Sequence, residues 1–295
     1  MVFLALDLNP TSSLISTLKS PRRGDVSQED VTAGLGEDLA ENPRYQVYEF
    51  HSEILPDDRA VQVYLPTQYI EQKERRFPVF YLHDGQNLFD GRTSYIPGRT
   101  WRANETADRL NAEGLIEPVI LVGIANTGLR RMAEYTPTRD MRMGGGDGQK
   151  YGRLLVEELK PWIDRTFRTR VGPEDTGLGG SSLGGLISLF LGWEHPSVFG
   201  KLAVMSPSVW WDYRSILSII NQAGAKPNLR IWMDMGMAEG ARHIRDADLL
   251  AQVLVRHGWK LGADLVYEKA VGAVHDEQAW AERFGDVLRF LFPAG

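Results

Sequence analysis

Two hydrophobic rhythms take turns along this chain. Residues 45–52 and 60–65 alternate apolar with polar side chains, the two-residue period of a strand with one buried face. The Pro56-Asp57-Asp58-Arg59 turn signal between them predicts an antiparallel hairpin. Residues 71–76 are charged or polar throughout and read as a solvated connection. Residues 77–83 are then mostly apolar, as expected of a central strand covered on both faces. Further strands are predicted over 117–124, 201–205, 229–234 and 264–270, with a short, glycine-rich one over 176–180. Between them the period lengthens. Residues 104–113, 241–257 and 277–291 read as helices, and the apolar run 183–191 opens another. Over 151–167 Leu155, Leu159, Trp162, Ile163 and Phe167 fall at helical spacing, with Pro161 predicting a kink or a break. Residues 141–148 carry too much glycine for regular structure. Strands alternating with helices predict an α/β fold of three layers, a mostly parallel central sheet with helices on both faces.

No linker separates two cores and no repeat recurs, so residues 41–295 are expected to form one domain. Residues 1–40 read as an N-terminal extension, with one or two helical turns over 11–18 and loop at 21–25 and 33–36.

The chemistry gathers around Gly180-Ser181-Ser182-Leu183-Gly184, a G-x-S-x-G pattern with a strand before it and a helix after it. In that setting the pattern marks a sharp turn that exposes a nucleophilic serine. A serine hydroxyl is a weak nucleophile at neutral pH and needs a base, and the base needs an acid to orient it. In the α/β-hydrolase arrangement these arrive in the order Ser, Asp or Glu, His, from loops at the carboxyl ends of strands. Of six histidines, His51, His83 and His195 do not satisfy that order, and His243 and His257 lie on the helix 241–257, facing away from the strand ends. His275, after the last predicted strand, is the expected base. Glu239, in the loop after 229–234, is the expected acid, with Asp234, Asp246 and Asp248 as alternatives. The oxyanion of a tetrahedral intermediate needs two N–H donors. Those of Leu183 and of Gln86, in the tight turn after 77–83, are expected to supply them.

Composition narrows the partners. The 295 residues carry a formal net charge of −6 with no long basic run, which argues against nucleic acid. No window reaches the roughly 20 apolar residues of a membrane span. Residues 1–8 lack a basic region and a clean cleavage site, so a cytoplasmic location is expected. There is no cysteine, which excludes disulfides and thiolate chemistry. Gly177-Leu178-Gly179 begins like a dinucleotide fingerprint, but Ser182 stands where its last glycine belongs. His83, Asp84 and Asp90 match no metal-ligand spacing, so no metal and no cofactor are expected. His83, Asp84, Tyr135, Trp210 and Trp211 are candidate substrate contacts, as is Trp101.

These pieces together resemble the esterase D-like family of α/β-hydrolases, which includes enterochelin, feruloyl and acetylxylan esterases and mycolyltransferases. The matching stretches are 81–90, 131–137, 179–185, 206–211, 236–239 and 275–280, in family order over about residues 45–292. The resemblance implies the three-layer α/β-hydrolase fold and a Ser182, Glu239, His275 triad with the Gln86 and Leu183 amides. It implies a cofactor-independent serine esterase acting on a small-molecule or carbohydrate-linked ester. An acyltransferase of the same mechanism and a non-catalytic binding module are the alternatives, and the oligomeric state is left open.

Overall fold

The strands form where apolar runs are bounded by turn residues, and the computed structural model describes residues 37–295 other than Ala223. The turns expected over 11–18, and the N-terminal extension up to residue 36, lie outside the described residues. Among the described residues eight strands make one sheet: β1 (Tyr45–Phe50), β2 (Arg59–Tyr64), β3 (Val79–His83), β4 (Ile120–Ile124), β5 (Thr176–Ser181), β6 (Lys201–Met205), β7 (Arg230–Gly236) and β8 (Leu265–Ala270). Their order is β1-β2-β4-β3-β5-β6-β7-β8. The β1–β2 and β2–β4 pairs are antiparallel and every other pair is parallel.

Register lines up the carboxyl ends. His83 pairs with Ile124, Ser181 with Met205, and Met205 with Asp234. The loops that follow these strands therefore leave from one edge of the sheet, where ligand sites of parallel sheets form.

The helices are α1 (Glu37–Ala40), α2 (Thr67–Glu71), α3 (Ala103–Ala112), α4 (Arg131–Glu134), α5 (Gly148–Arg153), α6 (Lys160–Thr166), α7 (Leu183–Glu194), α8 (Trp211–Gln222), α9 (Ala241–Arg256) and α10 (Glu277–Leu291). They cover both faces of the sheet, and alternate strand residues feed two cores. Val79 and Tyr81 join residues of α7, α8 and α9 on one face. Phe80 and Leu82 join α3 and α10 on the other. Alternate positions of β5 are glycine, and a Cβ on Gly177 or Gly179 would meet Phe80 at 2.9 Å. Those two glycines leave room for the Phe80 ring. No helix among the described residues is long and apolar enough to cross a membrane.

Two of the departures from expectation have local causes. Between α5 and α6 the helix widens into a π turn over Leu154–Leu159 instead of breaking. Pro161 offers no N–H and its ring crowds the carbonyl four residues back, and the wider turn before it absorbs both. Helix α8 was not expected at all. Its entry runs through Asp212, Tyr213 and Arg214 in the left-handed region, a start that apolar spacing does not signal.

Candidate active site

Ser182 sits between β5 and α7 with φ 59° and ψ −122°. A side-chain-bearing residue held there costs about 1–3 kcal/mol and persists only where its surroundings impose it. They do so here. Its N–H donates to Met205 O (3.0 Å), and its carbonyl accepts from Leu186 N (3.1 Å) and Ser208 N (3.0 Å). Gly185 makes the close approach possible, since a Cβ there would stand 2.8 Å from Met205 O. The turn is thus clamped onto the end of β6, and the Leu183 N–H is the first of α7, with no partner inside the helix.

Glu239 and His275 meet from neighbouring loops, after β7 and β8. His275 Nδ1 lies 2.6 Å from Glu239 Oε2. The Glu239 side chain is 2% exposed and that of His275 is 45% exposed, so the acid is sealed and the imidazole is reachable. Glu239 Oε1 accepts from Gly236 N (2.9 Å) and Ser206 Oγ (2.6 Å). Burial alone would raise the pKa of the Glu239 carboxyl. The hydrogen bonds from His275 and Ser206, the charge of His275 and the Gly236 N–H outweigh it, and the pKa falls below the ordinary glutamate value. The Trp280 ring meets His275 edge to face at 4.9 Å. Asp276, the next residue, caps α10 through Ala279 N and pairs with Arg99 at 2.7 Å, which anchors the loop.

The alternative acids are held elsewhere. Asp234 is fully buried and accepts from Arg283 Nη2 (3.0 Å), Trp232 Nε1 (2.9 Å) and Ser206 N (3.2 Å). Burial pushes its carboxyl above the usual range despite Arg283. Asp246 pairs with Arg214, and Asp248 with Tyr267 and Lys269.

Ser182, Glu239 and His275 line one cavity of about 340 Å³, with Ser206, Pro207, Ser208, Trp210 and His243. Ser182 Oγ rests 3.3 Å from Ser208 Oγ, and no hydrogen bond joins it to His275. The presence of His243 corrects the expectation that it faces away. It lies in the first turn of α9, and that end of the helix abuts the strand ends. Ser206 was also missed; it follows β6 in the left-handed region, with φ 40°.

Gln86 lies in a single 3₁₀ turn, Gly85–Asn87, after β3. Gly85 lets that turn lie against β4, because a Cβ there would come within 2.6 Å of Gly123 C. Asp84 precedes it at φ 55°. Arg131 holds both Asp84 oxygens at 2.7 Å, and Asn126 Nδ2 adds a third bond at 2.7 Å.

Of the candidate substrate contacts, Trp210 lines the cavity and the others do not. His83 is buried under the elbow with Nδ1 2.9 Å from Tyr151 Oη. Burial lowers its pKa to about 3. Tyr135 is buried and its hydroxyl accepts from Asp84 N. Trp211 is buried with Nε1 donating to Thr138 O. Asp84 is turned to Arg131, and Trp101 packs on Trp280 and Phe284 on the far side of the sheet. His83 Nδ1, the Tyr135 hydroxyl and Trp211 Nε1 are thus engaged by buried neighbours.

A mostly parallel eight-stranded sheet of this order, with a strained serine turning from β5 into a helix, defines the α/β-hydrolase class. Within it, the chain belongs to the esterase family described as Putative esterase, which matches residues 52–291. It is 28% identical over 255 residues to YbbA, an uncharacterized protein of Bacillus subtilis (strain 168), covering 82% of this chain and 95% of that one. It is 27% identical over 221 residues to an endo-1,4-beta-xylanase/feruloyl esterase of Xylanibacter ruminicola, covering 71% of this chain and 28% of that protein. Among solved structures, the IroE-like serine hydrolase from Shewanella oneidensis superposes with a TM-score of 0.69 at 22% identity, over 84% of this chain and 80% of that one. That likeness is one of fold. Membership in the family supports carboxylic-ester hydrolysis as the general activity.

Proposed function

We propose that residues 41–295 form a serine carboxylic-ester hydrolase that works through an acyl-enzyme on Ser182. The observation that carries this reading is the strained Ser182, opening onto the same cavity as a histidine whose Nδ1 is 2.6 Å from a buried carboxylate. In the first step Ser182 Oγ turns from Ser208 toward His275 Nε2, a contact of the kind that tightens when substrate binds. His275 Nε2 takes the hydroxyl proton as Oγ bonds to the ester carbon, and the carbonyl electrons move onto oxygen. The Leu183 and Gln86 amides donate to that oxyanion. Collapse breaks the bond to the alcohol oxygen, which leaves with the proton from His275. Water then repeats the sequence, giving its proton to His275, and releases the carboxylic acid and Ser182.

A half-buried Trp210 beside polar Ser208 and His243 favours a bulky aromatic or carbohydrate-linked ester. The relative whose name includes feruloyl esterase agrees with that choice. The test is a panel of p-nitrophenyl acetate, p-nitrophenyl butyrate and feruloyl esters against wild type and Ser182→Ala. Turnover of at least one ester by wild type, and none above background by the variant, is expected. Equal rates in the two proteins would refute the reading.

A further inference from the structure

Behind Glu239 lies a hydrogen-bond network that the reaction as written does not use. Ser206 is 1% exposed, and its Oγ has three partners. Arg283 Nη2 approaches at 3.0 Å, Trp280 Nε1 at 3.1 Å and Glu239 Oε1 at 2.6 Å. A hydroxyl carries one proton and two acceptor lone pairs, and guanidinium and indole nitrogens only donate. Two obligate donors therefore occupy both lone pairs of Ser206. Its single proton has one place to go, Glu239 Oε1. That oxygen already receives Gly236 N at 2.9 Å, so the inner half of the carboxylate is filled by two donors. Oε2 is left facing His275 Nδ1. A carboxylate so surrounded accepts on every side, which makes Nδ1 the protonated nitrogen and leaves Nε2 with the free lone pair.

We propose that Ser206, held by Arg283 and Trp280, is a positioning residue that sets the rotamer of Glu239 and thereby the tautomer of His275. The inference rests on the reading of His275 as the base. Two features support a dedicated role. Ser206 keeps φ 40°, in the left-handed region, and its N–H is tied to Asp234 O at 3.1 Å and Oδ1 at 3.2 Å. Arg283 also bonds Asp234 Oδ1 at 3.0 Å, so the guanidinium that orients Ser206 has its own buried counter-charge. The path runs from Asp234 through Arg283, Ser206 and Glu239 to His275, across β7, β6 and α10.

The test compares Ser206→Ala, Trp280→Phe and Ser182→Ala in the full chain. Readouts are kcat and KM on p-nitrophenyl acetate, and the far-downfield proton resonance of His275 Nδ1–H. Ser206→Ala is expected to lower kcat about tenfold to hundredfold, the range of a hydrogen bond to a charged group, with KM unchanged. Its Nδ1–H resonance should move or broaden. Trp280→Phe keeps an aromatic edge against His275 and removes one of the two obligate donors. It should shift kcat and the resonance the same way by a smaller amount, and it decides the matter if Ser206→Ala does not fold. Wild-type kcat and an unmoved resonance in a folded variant would overturn the proposal while leaving the reaction intact. Full activity in Ser182→Ala would overturn the reaction, and this inference with it.

Discussion

Glu239→Gln isolates what the carboxylate does for His275. The substitution preserves shape and removes charge. All three groups around Glu239 bring protons: His275 Nδ1 at 2.6 Å, Ser206 Oγ at 2.6 Å and Gly236 N at 2.9 Å. An amide has one acceptor oxygen and one NH₂. If its oxygen faces Ser206 and Gly236, the NH₂ faces Nδ1 and drives the imidazole to the tautomer with its proton on Nε2. That form cannot take a proton from Ser182. If the oxygen faces His275, the NH₂ meets two donors in a buried site, and each unmade bond costs about 1–3 kcal/mol. Either arrangement leaves a small population of working enzyme. A wrong tautomer in a Ser-His-Asp triad lowers kcat by about 10⁴, equivalent to roughly 5.5 kcal/mol of barrier. We expect a fall of about 10³ to 10⁴ in kcat for Glu239→Gln, with little change in KM, measured by steady-state ester hydrolysis on protein whose circular dichroism matches wild type. A kcat within tenfold of wild type would refute the assignment of Glu239.

Other consequences follow from the packing beneath the site. Burial holds His83 neutral, with its pKa lowered to about 3 and Arg131 opposing Asp84 nearby. In the unfolded chain a histidine titrates near about 6.5. Between about pH 6.5 and about pH 3 the unfolded state therefore binds more protons, so stability falls as pH falls; above about pH 6.5 the contribution is complete. Wild type should lose about 2 kcal/mol from this group between about pH 7 and about pH 5, and His83→Gln should lose that much less over the same interval in urea titrations. Identical pH slopes would count against a buried neutral His83. Gly85→Ala would force a Cβ to within 2.6 Å of Gly123 C and displace the Gln86 amide. It should cost about 1–3 kcal/mol of stability and lower kcat more than it changes KM; wild-type values of both in urea titration and steady-state kinetics would contradict the role given to this turn.

Much of this molecule is legible from residue order alone. The strands and most helices appear at the expected positions because apolar runs and turn residues are local signals. The order Ser182, Glu239, His275 is legible because loops at the carboxyl ends of parallel strands share one edge. What failed was direction. His243 lies on a helix whose apolar spacing points it away from the strand ends, yet its place in the first turn of α9 puts it at the cavity. Helical periodicity reports the face of a helix and says nothing about which end abuts a site. Tyr135, Trp211 and His83 lie in or beside loops, but the Tyr135 hydroxyl, Trp211 Nε1 and His83 Nδ1 are drawn inward by Asp84, Thr138 and Tyr151. Ser206 and Arg283 are 77 residues apart, and only the folded sheet brings them together. The left-handed entry to α8 is equally silent, since no glycine announces it.

The central claim is that Ser182 Oγ carries the acyl group. Its most direct test is intact and peptide mass spectrometry after rapid quenching with a p-nitrophenyl ester. A burst of p-nitrophenol near one equivalent per site is expected, with one acyl group on the peptide containing Ser182. Turnover without a burst and without acylated Ser182, or an acyl group on Ser208 in its place, would contradict it.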